Sequence, residues 1–131
     1  MSYAIPSSPE VIGPGIWIAG QYMAKLATTQ RKIDYFIEWV NEIAIRFPCK
    51  KCRIHFLNYI KKNPPELMRD TRNSAGILIG MFKWWSLFHN TANARLGKPQ
   101  MDWETAIHLY FDEAIDVCDL DCDDDIEVSM I

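Results

Sequence analysis

Apolar side chains recur at steps of three and four residues through much of this chain, which is the period of an amphipathic helix. The first half contains three such stretches, at residues 15–27, 33–47 and 52–60. The threonines at 28–29 are suited to cap the second helix, and Pro48 should end it. The pattern therefore predicts three helices, the third of which begins at a pair of cysteines.

Two more helices are predicted in the second half. One spans about residues 71–96 and ends at Gly97, a C-cap residue that Pro99 follows closely. Asp102 can cap the next helix, which carries apolar residues along one side between 103 and 115.

No stretch has the alternation typical of a strand or hairpin. Long amphipathic helices joined by short links predict an all-α fold, here a four-helix bundle with a short additional fifth helix. We expect residues 1–14, which contain three prolines, to form an irregular N-terminal segment. Residues 15–118 should form the helical domain, and residues 119–131 an acidic C-terminal tail.

The composition is typical of one soluble domain. With 131 residues, 49% of them hydrophobic and 12% aromatic, the chain can form a single core. The N-terminus lacks the basic and apolar regions of a signal peptide, and no apolar stretch approaches the roughly 20 residues of a membrane span. We therefore expect an intracellular, cytoplasmic protein without a membrane span.

Charge is unevenly distributed along the chain, although the net charge is only −3. Residues 112–127 hold nine of the 17 acidic residues and no basic one, so all 14 basic residues precede them. The basic residues are scattered except for a cluster of Lys50, Lys51 and Arg53. A scattered distribution gives nucleic-acid binding little support, and we do not predict it.

The four cysteines form two local pairs, and the first pair lies at a predicted helix start. Cys49 and Cys52 have CxxC spacing, so they can close a short disulfide loop. The helix dipole stabilises a thiolate there, and the basic cluster adds positive charge. A thiolate with a low pKa is the nucleophile of thiol–disulfide exchange, so this pair favours redox chemistry.

The second pair, Cys118 and Cys122, leaves alternatives open. These two cysteines could be free thiols near a chain end, or a disulfide that carries oxidising equivalents between a substrate and the CxxC pair. All four cysteines could instead hold a tetrahedral zinc ion in a helical interaction module. We prefer redox use and predict no metal ligands, because the second pair has CxxxC spacing and no knuckle glycine lies nearby.

The segment from His89 to Pro99 is the most specific stretch of the chain. His89 and Asn93 are i,i+4 neighbours on one helix face, and Lys98 follows where the helix ends. An imidazole, an amide and a cation in a line suit an adenine dinucleotide and its pyrophosphate. A polar helix face with a Gly-Lys-Pro stop would explain the glycine and the proline but not the grouped His and Asn.

Three motifs in order resemble those of the Erv/Alr sulfhydryl oxidases. FPCKKC, followed about forty residues later by WWSLFHNTANARLGKP, is similar to that family's CxxC and its HNxVNxxLGKP signature. Upstream, Gly13-Pro14-Gly15-Ile16-Trp17 resembles the first-helix motif, in which a glycine lies four residues before a flavin-contacting tryptophan. The matches cover about residues 13–110.

The resemblance implies a homodimeric bundle with FAD at its mouth and the CxxC disulfide against the flavin. Cys52 would be the flavin-proximal thiol, and Cys49 the interchange thiol that substrates attack. The positions that match the family's cofactor contacts are Gly13, Trp17, Gln21, His89, Asn90, Asn93, Lys98 and Tyr110.

The chain departs from the family pattern at several positions, two of which match cofactor contacts. Ser86 and Trp103 stand where the family commonly has the two cysteines of a structural disulfide. We expect a packed Trp103 in place of this crosslink, as in short forms encoded by large DNA viruses. Gln21 replaces a flavin-contacting His, Ala92 a Val, and Tyr110 a late Trp.

The resemblance thus implies an FAD-dependent thiol oxidase that makes disulfides in protein substrates and passes electrons to O2, producing H2O2. Its partners would be thiol-containing proteins or a thioredoxin-like relay protein, and its location the host cytoplasm or the virion. A zinc-stabilised module and a flavin-free helical scaffold remain the alternatives from other classes.

Overall fold

The computed structural model describes residues 5–111, and these residues are predominantly helical. The helices are α1 (Pro9–Leu26), α2 (Gln30–Arg46), α3 (Lys50–Lys62), α4 (Gly80–Arg95) and α5 (Trp103–Phe111), with a 3-10 turn at Pro65–Met68. The only β pairing in this part of the chain is one isolated bridge between Arg72 and Leu78. The predicted all-α fold is confirmed. No helix between residues 5 and 111 has the length and apolar character needed to cross a membrane.

The core of the bundle is built around α4. This helix packs against α1, α5 and the 3-10 turn, while α2 packs against α3 and α1. Trp84 and Trp85, both almost fully buried, lie at the centre of the apolar cluster, to which all five helices contribute. Burial of such large aromatic side chains dominates the stability of a small core. Four long helices and a shorter α5 give the predicted architecture.

Two helix starts have the predicted caps, and a third begins at the CxxC motif as predicted. Thr29 Oγ1 accepts a hydrogen bond from the Lys32 amide at 3.2 Å, and Asp102 Oδ1 accepts one from the Thr105 amide at 2.6 Å. Cys49 itself is the N-cap of α3. Each cap satisfies an amide that has no partner within the helix. At the end of α4, Gly97 has a φ of 69°, as its predicted role after the last turn requires.

The prediction of an irregular segment up to residue 14 is wrong for residues 9–14, which belong to α1. Pro9 occupies the first turn, where its missing N–H costs nothing, and Ser8 O accepts bonds from the amides of Val11 and Ile12. Pro14 lies inside the helix. The helix therefore continues through a proline that the sequence suggested would precede it.

The fourth helix begins at Gly80, not near residue 71 as predicted. Asn73 Oδ1 accepts hydrogen bonds from the amides of Ala75 and Ile77, and Gly76 adopts a φ of 80°. This side-chain-to-backbone bonding competes with helix formation and forms a turn. The apolar residues 77–79, just after this turn, fit the helical period although they do not belong to the helix.

Candidate functional site

The two cysteines of the CxxC motif lie at the first turn of α3, as predicted. Cys49 Sγ accepts a hydrogen bond from the Cys52 amide at 3.3 Å, so the thiol acts as the capping group of its own helix. Both thiols are free and half-buried. The pair is therefore close together, with one sulfur directed at the helix N-terminus, where partial positive charge favours an anion.

The environment separates the two thiols electrostatically. A hydrogen bond from the Cys52 side chain, helped by backbone amides and the Arg53 charge, lowers the pKa of Cys49. Burial, the hydrogen bond to Cys49 and the charge of Cys49 raise the pKa of Cys52 to about 11, against a smaller opposing effect of Arg95. Cys49 is thus the thiol that ionises first and the better nucleophile near neutral pH.

A cavity of about 460 Å³ opens beside Cys52, between the first half of α1, the start of α3 and the end of α4. Its volume is typical of small-molecule sites. The apolar part of its wall includes Trp17, Phe47 and Phe56. The polar and charged side chains that line it are Glu10, His89, Asn93, Arg95 and Lys98. The cavity thus combines flat aromatic surfaces with two cations that could hold an anionic group.

Trp17 and His89 form a stacked pair on one side of this cavity. Their ring centroids are 4.4 Å apart and their planes differ by 8°. Burial, followed by the charge of Lys98, lowers the pKa of His89, so the imidazole is neutral at pH 7. Trp17 is held from behind by edge contacts with Phe56 and Phe88. The pair is a fixed, uncharged aromatic surface suited to a planar ligand.

Six of the ten predicted site residues that lie within residues 5–111 meet at this cavity. Those that line it are Gly13, Trp17, Cys52, His89, Asn93 and Lys98. They come from three helices and the turn after α4, and are separated by up to 85 positions in the sequence. Cys49 lies outside the lining, next to Cys52.

Three other predicted cofactor contacts lie elsewhere. Gln21 is 5% exposed and donates to Ser86 Oγ at 3.0 Å and to the Phe82 carbonyl at 3.4 Å. Asn90 exchanges hydrogen bonds with the backbone of Met101. Tyr110 packs its ring against Tyr22 and Phe82. None of the three lines the cavity.

Several lining residues were not singled out from the sequence. Arg95 lies within the HNTANARLGKP segment, three residues before Lys98, so its place in the motif was a usable signal. Phe47 and Phe56 flank the CxxC motif, but their apolar period indicated only core positions. Glu10 fell in the segment predicted to be irregular.

Ser86 and Trp103, the two positions of the family's crosslink, lie in different environments. Ser86 is buried and donates to the Phe82 carbonyl at 2.9 Å, while it accepts from Gln21. Trp103 is half-buried, and the Lys83 ammonium lies 4.6 Å from its ring centroid. Such a cation–π contact helps to hold α5 on α4 without a disulfide.

The zinc alternative gains no support from the described residues. Between residues 5 and 111, no group of three or more His, Cys, Asp or Glu side chains is arranged to hold a metal ion. The alternative also needs Cys118 and Cys122, which lie outside the described residues together with the predicted tail.

An all-α bundle with a CxxC pair at a helix start, beside an aromatic and cationic cavity, defines a candidate thiol-redox domain. The sequence profile of the Erv1/Alr family matches residues 16–112, and the chain belongs to this family. The recognition from the sequence motifs is thereby confirmed.

Curated relatives carry a consistent name. The chain is 33% identical over 75 residues to the FAD-linked sulfhydryl oxidase of African swine fever virus, an alignment that covers 56% of each chain. It is 31% identical over 103 residues to FAD-linked sulfhydryl oxidase ERV1 of Oryza sativa, covering 75% of this chain and 48% of that protein. Identity to mitochondrial FAD-linked sulfhydryl oxidase ERV1 of Saccharomyces cerevisiae is 29% over 107 residues, covering 76% and 51%. The chain thus spans about half the length of these relatives. No solved structure matches it.

Proposed function

We propose that this protein is an FAD-linked thiol oxidase that forms disulfides in protein substrates. One observation carries the proposal: the Cys52 thiol of the CxxC pair lines the same cavity as the stacked Trp17 and His89. The names of the viral, plant and yeast relatives support the same activity and the same cofactor.

The chemistry of the cavity fits FAD. Planar aromatic walls suit stacking with a ring system, and the neutral His89 can stack without the cost of burying a charge. Arg95 and Lys98 at the end of α4 suit a pyrophosphate, and the Asn93 amide supplies both a donor and an acceptor. These residues would hold FAD, which, when bound, supplies a two-electron acceptor that can be reoxidised by O2 to give H2O2.

The chain's own residues perform the thiol–disulfide exchange. A substrate thiolate attacks Cys49 Sγ of the Cys49–Cys52 disulfide, which forms a mixed disulfide and releases the Cys52 thiolate. A second substrate thiol then attacks the mixed disulfide, so that the substrate is oxidised by two electrons and the CxxC pair is reduced. The Cys49 sulfur, which does not line the cavity, would face the substrate, and the Cys52 sulfur in the cavity wall would face the acceptor.

The other partners follow from the family resemblance and the surface. Thiol-containing proteins or a thioredoxin-like relay protein would deliver the dithiols, with Cys118 and Cys122 as a candidate shuttle pair.

An exposed apolar stripe on α1, formed by Val11, Ile18, Tyr22 and Leu26, supports a homodimer through this helix. Sedimentation of the wild type and of a Leu26→Glu variant, at a position that does not line the cavity, tests that interface; an unchanged mass would exclude it. The viral relatives favour a location in host cytoplasm or virion, which cell fractionation can test.

The purified protein provides the direct test of the activity. We expect a yellow protein with a flavin spectrum that consumes oxygen and releases peroxide when a small dithiol is added. Cys49→Ser and Cys52→Ser should abolish turnover while retaining the flavin. Cys118→Ser is the matched control and should oxidise a small dithiol at the normal rate. A colourless protein that takes up no FAD on reconstitution would refute the proposal.

A further inference from the structure

Helix α3 carries a strong, one-signed charge. It contains five cations, which are Lys50, Lys51, Arg53, Lys61 and Lys62, and no carboxylate. The two ion pairs found within residues 5–111 join Arg46 to Glu42 and Arg69 to Asp34, so none of these five cations belongs to either. Helix α4, which lies beside α3, also has no acidic residue. Within residues 5–111, this side of the bundle is therefore positively charged, and none of its five α3 cations has an ion-pair partner.

A groove runs along the outer side of α3 and α4, away from the redox cavity except at Arg95, which lines both. It has a volume of about 820 Å³ and is open to solvent. His55, Asn58 and Lys62 of α3 line one side, and Arg95 of α4 lines the other. No carboxylate is among its lining residues. A groove of this composition suits an extended, acidic polypeptide. The carboxylates of such a polypeptide can face the cations, and its backbone groups can form hydrogen bonds with the Asn58 amide.

The described chain ends at the end of α4 from which this groove starts. The Phe111 ring at the end of α5 lies 5.1 Å from the ring of Phe82, at the start of α4. The last residue of the α3 region, Asn63, accepts a hydrogen bond through its carbonyl from Trp84 Nε1 at 2.7 Å. The end of α5 and the end of α3 therefore lie at the same end of α4, and the groove runs from there towards the CxxC motif.

The length and charge of the following residues match this path. Residues 112–127 contain nine carboxylates and no cation. At about 3.3 Å per extended residue, some eight residues can cover the roughly 24 Å length of α4. Attachment to Phe111 also gives this segment an effective concentration on the order of millimolar at the groove.

We propose that the acidic segment 112–127 binds in the α3–α4 groove of its own chain, with its carboxylates facing Lys62 and His55. The binding does not depend on the oxidase activity, because neither substrate nor oxygen takes part in it. The groove is thus a built-in docking surface for the segment that carries the second cysteine pair.

Carbodiimide crosslinking of the full-length holoprotein tests this proposal, since the reagent joins lysine ammonium groups to carboxylates in contact. An equal mixture of unlabelled and ¹⁵N-labelled chains distinguishes bonds within a chain from bonds between chains. We expect crosslinks from Lys51, Lys61 and Lys62 to residues 112–127 within one chain, reduced several-fold by 0.5 M salt because screening weakens the attraction. A Lys62→Glu variant should reduce the crosslinks at Lys51 and Lys61 several-fold, whereas Lys32→Glu on α2 should not.

Three results would overturn the proposal. Crosslinks between labelled and unlabelled chains only would assign the groove to a second copy. Crosslinks confined to Lys25, the lysine that lies 5.5 Å from the Phe111 ring, would indicate that the segment stays near the end of α5. Equal effects of Lys62→Glu and Lys32→Glu would show no preference for the groove. None of these readouts requires turnover, so a failed docking proposal is distinguishable from a failed oxidase proposal.

Discussion

Arg53 reaches back across the CxxC turn, and its Nη1 donates a hydrogen bond to the carbonyl oxygen of Phe47 at 2.6 Å. Phe47 is the C-cap residue of α2, while Arg53 lies in the first turn of α3, where its amide donates to the Cys49 carbonyl at 2.9 Å. One guanidinium therefore ties the end of α2 to the start of α3 and fixes the backbone on both sides of Cys49. Its charge also lowers the pKa of that thiol.

Arg53→Met should therefore raise the pKa of Cys49 towards that of an ordinary thiol. The variant loses both the nearby charge and the link to Phe47, so the thiolate fraction at pH 7 falls. We expect the alkylation rate of Cys49 in the reduced protein to drop several-fold at pH 7 and to recover at high pH, with Arg53→Lys intermediate. The matched control is Arg46→Met, an exposed arginine paired with Glu42. Identical pH profiles for the two Met variants would contradict a positioning role for Arg53.

The two thiols should also ionise in a fixed order. The pKa of Cys49 is lowered and that of Cys52 is raised to about 11, so raising the pH from 7 to 9 should label Cys49 and leave Cys52 largely protonated. Mass spectrometry of iodoacetamide-treated, reduced protein measures both rates.

Variants at Cys52 separate the causes of this order. The Cys52 side chain makes the largest contribution to the lowered pKa of Cys49. Cys52→Ala should consequently slow the alkylation of Cys49 at pH 7, whereas Cys52→Ser keeps a hydroxyl donor and should slow it less. If iodoacetamide labelled Cys52 faster than Cys49 in the wild type, the predicted order of ionisation would be wrong.

Local signals in the sequence accounted for much of the fold. A cap such as Thr29 or Asp102 depends on a side chain and an amide three residues away, so the residue type alone predicts it. The starts of α1 and α4 were misplaced for physical reasons. Pro14 is tolerated inside α1, and Asn73 and Gly76 form a turn in front of apolar residues that fit a helical period. In both cases local interactions compete with the pattern of apolar residues. The helical period alone does not show which of the two determines where the helix begins.

Residues of one motif were the predictable part of the site. His89, Asn93 and Lys98 lie on one helix end, so their spacing indicated a common surface. Gln21 could not be placed in this way, because its hydrogen bond to Ser86 joins two helices across 65 positions of sequence. The buried Gln21 amide is hydrogen-bonded to Ser86. The residue type alone does not reveal that such a polar pair fills the position.

Thr29→Ala should destabilise the protein by about 1 kcal/mol, as is usual for loss of an N-cap side chain. Thr29 Oγ1 is the acceptor for the Lys32 amide at the start of α2, and alanine offers no replacement. Urea unfolding at constant FAD and protein concentration measures the change in the free energy of unfolding. Thr28→Ala is the control, because α2 is capped by Thr29 and not by its neighbour. An equal loss in both variants would contradict the assignment of the cap.

Gly20→Ala tests the closest approach of α1 to α4. A Cβ at position 20 would overlap the indole ring of Trp85, which is 2% exposed and held by a hydrogen bond from Nε1 to the Trp17 carbonyl at 2.9 Å. The ring cannot move without breaking this bond and disturbing the core, so we expect a loss of about 3 kcal/mol in the free energy of unfolding.

Gly15→Ala in the same helix is the matched control for this substitution. Its Cβ would have no neighbour within 4 Å, so the usual helix preference for alanine should stabilise the protein by about 0.5–1 kcal/mol. Both changes are read from urea unfolding at one protein concentration, because Gly15 lies near the proposed dimer stripe. If Gly20→Ala were as stable as Gly15→Ala, the helices could not be packed as closely as the Trp85 contact requires.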